Sequence, residues 1–276
     1  MEPTEFDFNF CNTEFYGQYF KPDIVKAVVI LVHGMGEHSG RYTDFVIPQL
    51  LAQNIGVITY DQFGHGKTAG KKGHNPNFDA VLTTVTLITN KATEIFGDLP
   101  LFLYGHSMGG NVVINYALSK THSFTGVIAT SPLLRLAFKP PTWKLSVGKI
   151  IQKIAPSITM PSELDVNAIS RDPMEVQKYR DDPLVHDKIS PNYSLTFFEK
   201  GQWALEHAQQ LKTPMLLVHG TGDKITDHTA SIEFAKNSNG MATIQLFENG
   251  YHELHNDLEK EQFMKVLTNW IQTRIG

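Results

Sequence analysis

Short, wholly apolar runs alternate along this chain with stretches of helical spacing, and no other feature of its 276 residues restricts the fold as much. Val28-Val29-Ile30-Leu31-Val32, Val57-Ile58-Thr59-Tyr60, Leu101-Phe102-Leu103-Tyr104, Gly126-Val127-Ile128-Ala129 and Met215-Leu216-Leu217-Val218 lack the polar alternation of a strand with one wet face. They read as strands buried on both sides. Ala242 to Phe247 reads as a sixth, from its β-branched and aromatic content. Between them Val81, Val85, Ile88, Ala92 and Ile95 recur at helical steps, as do Phe263, Val266, Leu267, Trp270 and Ile271. This order predicts a mostly parallel sheet with helices on both faces. In the first 22 residues, FDFNF and EFYGQYF predict an antiparallel hairpin at the sheet edge.

The alternation fails between about Leu134 and Ser194, a proline-rich stretch without a central-sheet strand. It is too long for a plain loop. The expected organisation is therefore a core in two parts, 1–133 and 195–276, interrupted by a mostly helical insertion, 134–194, over the active edge of the sheet. A net charge of −4 without a basic run gives no reason to expect nucleic acid. Cys11 is the single cysteine, so an intrachain disulfide is excluded. The acidic opening MEPTEFDFNF does not resemble a secretory signal, and no apolar run approaches the ~20 residues of a membrane span. A cytoplasmic location is the expectation, with contact at membrane surfaces left open.

Chemistry is signalled most strongly by Gly105-His106-Ser107-Met108-Gly109, set between the buried run LFLY and the helical stretch NVVINYALSK. A strand–turn–helix with a serine at the turn is a nucleophile elbow, and the flanking glycines allow the backbones to approach. Serine needs a base, and the base needs an orienting acid. Asp223, just past the strand MLLVHG, and His252, just past the strand ending at Phe247, stand where a parallel sheet presents its functional edge. Asp227 is the rival acid, though it reads better as a helix N-cap; His255 is the rival base. His106 reads as a packed, hydrogen-bonded side chain. Oxyanion donors are expected from the backbone N–H of Met108 and from Met35, in His33-Gly34-Met35-Gly36 after the strand VVILV.

The motifs HGMGEHSGRY (33–42), DQFGHG (61–66), GHSMGG (105–110), ISR (169–171), DPL (182–184), GTGDKIT (220–226) and GYHELH (250–255) together resemble the monoacylglycerol lipase and lysophospholipase-like branch of the α/β-hydrolases, over nearly the whole chain. The resemblance implies an α/β-hydrolase fold with a helical cap and no cofactor or metal. The implied reaction is hydrolysis of one acyl chain from a lipid ester, monoacylglycerol or lysophospholipid. It names Ser107, Asp223 and His252 as triad, Met35 and Met108 as oxyanion donors, and Glu37, Arg41, Tyr179 and His255 as neighbours of the polar head group. From spacing alone, Glu37 and Arg41 also fit an i,i+4 ion pair on a helix face. Thr68 departs from the serine common in the family motif, and Thr226 stands near the acid where animal monoglyceride lipases carry cysteine.

Two alternatives share the fold: a proline iminopeptidase-like serine peptidase, for which Glu163, Asp165, Asp172 and Glu175 offer acids, and a non-catalytic binding protein. Within the insertion Trp143, Val147, Ile150, Ile151 and Ile154 share one helix face, opposite Lys149 and Lys153. The expected reading is that this face packs on the body or lines an acyl tunnel. The other is contact with a membrane surface.

Overall fold

Alternate side chains of each apolar run go to opposite faces of a sheet, so one strand feeds two cores. The computed structural model describes residues 1–275. Its strands are β1 (Thr4–Phe10), β2 (Thr13–Phe20), β3 (Ala27–Val32), β4 (Ile55–Tyr60), β5 (Leu101–His106), β6 (Gly126–Thr130), β7 (Met160–Pro161), β8 (Lys188–Ile189), β9 (Met215–Gly220) and β10 (Ala242–Phe247). Its helices are α1 (Val46–Leu51), α2 (Phe78–Phe96), α3 (Met108–Ser119), α4 (Thr142–Ile154), α5 (Pro173–Asp181), α6 (Pro191–Glu206), α7 (His228–Asn237) and α8 (Lys260–Ile275).

Eight strands make one sheet in the order β1-β2-β4-β3-β5-β6-β9-β10. The pairings from β4 to β10 are parallel, and the β1–β2 hairpin joins β4 antiparallel, at the edge the sequence predicts. Cys11 and Asn12, both at positive φ, form the two-residue hairpin turn. On β3, Val28, Ile30 and Val32 pack with Val81 and Val85 of α2 and Val112 of α3. Val29 and Leu31 face the other way, against Ile47 of α1 and Leu267 of α8. The fold is therefore an α/β-hydrolase-type sandwich, helices on both faces of a mostly parallel sheet. On the opposite edge, β10 exposes Thr243 and Gln245, as an edge strand with one covered face should.

Between β6 and α6 the chain leaves the sheet and runs through α4, β7, α5 and β8. The antiparallel β7–β8 ribbon is two residues per strand, too short to show any period in the sequence. The boundary expected at 194 falls inside α6, which packs on both α3 and α4 and so continues from insertion to core without a break. The expectation for α4 is overturned. No side chain of this helix is buried, and Trp143, Val147, Ile150 and Ile154 are 63%, 45%, 58% and 79% exposed. The helix seats itself on α6 by its opposite side, around Leu145, Gly148 and Gln152, where Gly148 lies over Leu195. Its apolar face consequently looks outward and takes no part in the cavity wall.

Candidate active site

β5 ends at His106 and α3 starts at Met108, leaving Ser107 alone at the corner with φ 54° and ψ −113°. For a serine these dihedrals are strained, and they lift its side chain out of the helix. The corner closes because a Cβ at Gly105 would fall on the backbone of Gly109, and one at Gly109 on the carbonyl oxygen of Val32. Ser107 Oγ lies 2.9 Å from His252 Nε2, and His252 Nδ1 lies 2.7 Å from Asp223 Oδ2. With Nδ1–H donating to the carboxylate, Nε2 is free to accept the serine proton. The three residues, distant in sequence, meet because β5, β9 and β10 all end on the same side of the sheet.

Asp223 is held from several directions. Oδ1 accepts the backbone N–H groups of Ile225 (2.8 Å) and Thr226 (3.1 Å). Oδ2 also meets Thr226 Oγ1 at 2.9 Å and Nε2 of the buried His219 at 3.1 Å. Burial would raise the pKa of Asp223, but His252 and His219 outweigh it and hold the carboxyl well below the usual range. For His252 burial disfavours the charged ring, yet the adjacent Asp223 carboxylate wins and the pKa lies above 6.5. Asp227, the rival acid, instead caps α7 through Thr229 N–H and pairs with Arg135 on the surface. His106 is neutral by burial and bonded to Thr130 Oγ1.

Above the serine opens a cavity of about 600 Å³. Ser107, His252 and Met35 sit at its floor, apolar residues such as Leu136, Phe138, Val166 and Ile169 form walls, and Glu37, Tyr179 and His186 make a polar portion. As the first residue of α3, Met108 has an N–H without an intrahelical acceptor, and among the described residues neither it nor Met35 N–H has a partner. That leaves two free donors beside the serine.

The expected head-group set divides. Glu37 and Tyr179 line the cavity; Arg41 and His255 do not. Arg41 belongs to a 3-10 turn, Ser39–Tyr42, which excludes Glu37, so the helix-face pair is also corrected. Its guanidinium is drawn inward by two carboxylates, Glu37 (2.9 Å) and, bidentately, Glu253 (2.7 and 2.7 Å). His255 is fully buried, stacked on Tyr42 at 5.0 Å and edge-on to His106 at 4.8 Å. Sequence reading missed Glu253 and His219; an acid directly after the candidate base is a signal that was available for the first.

A family model described as "Serine aminopeptidase, S33" (Hydrolase_4) matches residues 23–259. A monoglyceride lipase homolog of Monkeypox virus is 33% identical over 274 residues, covering 97% of this chain and 98% of that protein. An uncharacterized abhydrolase domain-containing protein of Dictyostelium discoideum is 40% identical over 252 residues, covering 90% of this chain; the match spans only 26% of that longer protein. The crystal structure of Paleococcus ferrophilus monoacylglycerol lipase superposes with a TM-score of 0.87 at 34% identity, covering 94% of this chain and 99% of that one. With an elbow serine, an α/β sandwich and a family match across most of its length, the chain belongs to the serine aminopeptidase S33 (Hydrolase_4) family of α/β-hydrolases.

Proposed function

We propose that this serine hydrolase releases a single acyl chain from monoacylglycerol through an acyl-enzyme on Ser107. The observation that carries the reading is the linear Ser107–His252–Asp223 array at the floor of a largely apolar cavity with one polar portion. His252 Nε2 takes the proton as Ser107 Oγ attacks the ester carbonyl. Met35 and Met108 N–H groups stabilise the oxyanion, and the protonated ring then delivers its proton to the leaving glycerol oxygen. Water, deprotonated by the same ring, releases the fatty acid. The apolar wall gains roughly 0.8 kcal/mol per CH₂ of acyl chain buried. Glu37, Tyr179 and His186 offer polar atoms to a small hydroxylated head group. The names of the Monkeypox virus and Paleococcus ferrophilus proteins support the same substrate.

The family description raises a peptidase reading, which needs free carboxylates to take an ammonium group. Here five of the six acids lining the cavity have a cationic or imidazole partner, Glu37 and Glu253 through Arg41, Glu163 through Lys144, Asp182 through His38 and Asp187 through Lys188, while Asp165 accepts from Asn167 in its own turn. That favours the ester.

We infer further that segment 134–194 acts as the cap and that α4 meets a lipid surface. Its outward apolar face is flanked by Lys144, Lys149 and Lys153, suited to lie among head groups. Among the described residues no helix is long and apolar enough to cross a membrane.

Ser107→Ala should lower ester hydrolysis by about 10⁶ and abolish fluorophosphonate labelling, because triad members act as one unit. Asp223→Asn should cost about 10⁴, whereas Asp227→Asn should leave turnover nearly intact. Full activity in a folded Ser107→Ala protein, or faster turnover of an aminoacyl arylamide than of monoacylglycerol, would sink the assignment.

A further inference from the structure

Behind the catalytic residues lies a buried ion cluster, and the proposed function uses only Glu37 of its three members. Arg41, Glu37 and Glu253 side chains are only 7%, 3% and 4% exposed, and the cluster carries two carboxylates for one guanidinium. Taking such charges out of water is expensive, and apolar replacements of buried ion triads are often neutral or stabilising. Stability alone is therefore a weak account of this one. Its bonds go elsewhere as well. Glu37 Oε1 accepts the N–H of Gly34 at 2.5 Å, immediately before Met35, and the hydroxyl of Tyr42 at 2.9 Å. Glu253 follows His252 directly; its backbone N–H donates to Ile169 O, and its carboxylate accepts from Asn256. The Arg41 guanidinium also lies 4.6 Å from the ring centre of Tyr179, on α5.

We propose that Arg41 is a positioning residue: through Glu37 and Glu253 its guanidinium fixes the oxyanion loop and the histidine loop relative to each other. The proposal rests on the hydrolase reading above. A planar fork suits this task, because one Nη bridges the two carboxylates while the second Nη completes the bidentate grip on Glu253. Oxyanion donors and general base must meet one tetrahedral centre, so their relative placement is what the transition state reads. Arg41 itself touches no part of the cavity. A head-group contact and a positioning clamp therefore differ in what they do to a substrate without glycerol.

The test compares wild type with Arg41→Lys, which keeps the charge but loses the fork, and Glu253→Gln, which keeps the shape but loses the charge. Each is assayed on a soluble short-chain monoacylglycerol and on p-nitrophenyl acetate, with thermal melts and fluorophosphonate inactivation rates alongside. Both variants should melt cooperatively and lose kcat by about 10- to 100-fold on both esters, with KM within about 3-fold, the pattern of an interaction felt in the transition state. Fluorophosphonate inactivation should slow in the same proportion, since the phosphonyl adduct forms in the same oxyanion site. Wild-type kcat in folded variants, a rise in KM alone, or a loss confined to the glycerol ester would overturn the proposal. So would failure of both variants to melt cooperatively, which would assign the cluster to folding. A wild-type protein that neither hydrolyses p-nitrophenyl acetate nor labels would sink the hydrolase reading together with this one.

Discussion

Two histidines share the carboxylate of Asp223, and one of them reaches Ser107. That arrangement decides how the reaction should depend on pH. The His252 ring is held above its ordinary pKa of 6.5 because the charge of Asp223 outweighs burial. A protonated ring cannot accept the serine proton, so kcat/KM should rise with pH through a midpoint above 6.5. Removing the carboxylate charge leaves burial as the dominant influence, which disfavours the cation. Asp223→Asn should therefore move the midpoint of its residual activity to lower pH. A pH–rate profile on a soluble ester checks both signs, and a midpoint that stays put in Asp223→Asn would show that another group titrates. At this scale the sequence was legible where a residue stands at a strand end: Ser107, Asp223 and His252 each follow an apolar run, and the structure brings them together. His219 was not legible, because inside the run MLLVHG it reads as one more strand residue. Arg41 was misread because its spacing from Glu37 reveals one partner, while Glu253 arrives from more than 200 residues away.

Strands and helices differ in how much of their surroundings they announce. A wholly apolar run such as VVILV must be covered on both faces, so its burial can be read directly. An amphipathic helix declares an apolar face without declaring what covers it. For α4 the periodicity was right and the inferred contact wrong: the helix seats on α6 by a narrow, half-buried stripe at Leu145, Gly148 and Gln152. The exposed face then has a testable consequence. Fully burying a large apolar side chain is worth about 1.5–3 kcal/mol, so replacing Trp143 and Ile150 by serine should weaken binding to phospholipid vesicles by tenfold or more. Neither side chain is buried and neither lines the cavity, so the melting temperature and the hydrolysis of a soluble ester should hardly change. Unchanged vesicle co-sedimentation of the double variant would remove the membrane role from α4.

At the scale of the whole molecule, the sheet carries the reacting groups to one edge and the inserted segment sets the space above them. The first was readable from strand order; the second was not, because a volume depends on how helices sit and not on their spacing in sequence. The cavity above Ser107 measures about 600 Å³. It lies within the ordinary range of ligand pockets, about 300–1,000 Å³, which suits one acyl chain with a small head group. A lysophospholipid with the same chain adds a phosphate head group that is larger than glycerol and must project past the polar portion. A triacylglycerol brings two further chains, whose apolar surface would stay in water. kcat/KM should therefore fall in the order monoacylglycerol, lysophospholipid, triacylglycerol. Tyr179→Phe, which alters the polar portion without touching the triad, should narrow the gap between monoacylglycerol and a simple aryl ester. Side-by-side assays in one detergent decide the matter: triacylglycerol matching monoacylglycerol would mean that the cavity opens far wider during turnover than its walls allow here. Equal rates for a monoacylglycerol and a lysophospholipid of the same chain would mean that the polar portion does not select by head-group size.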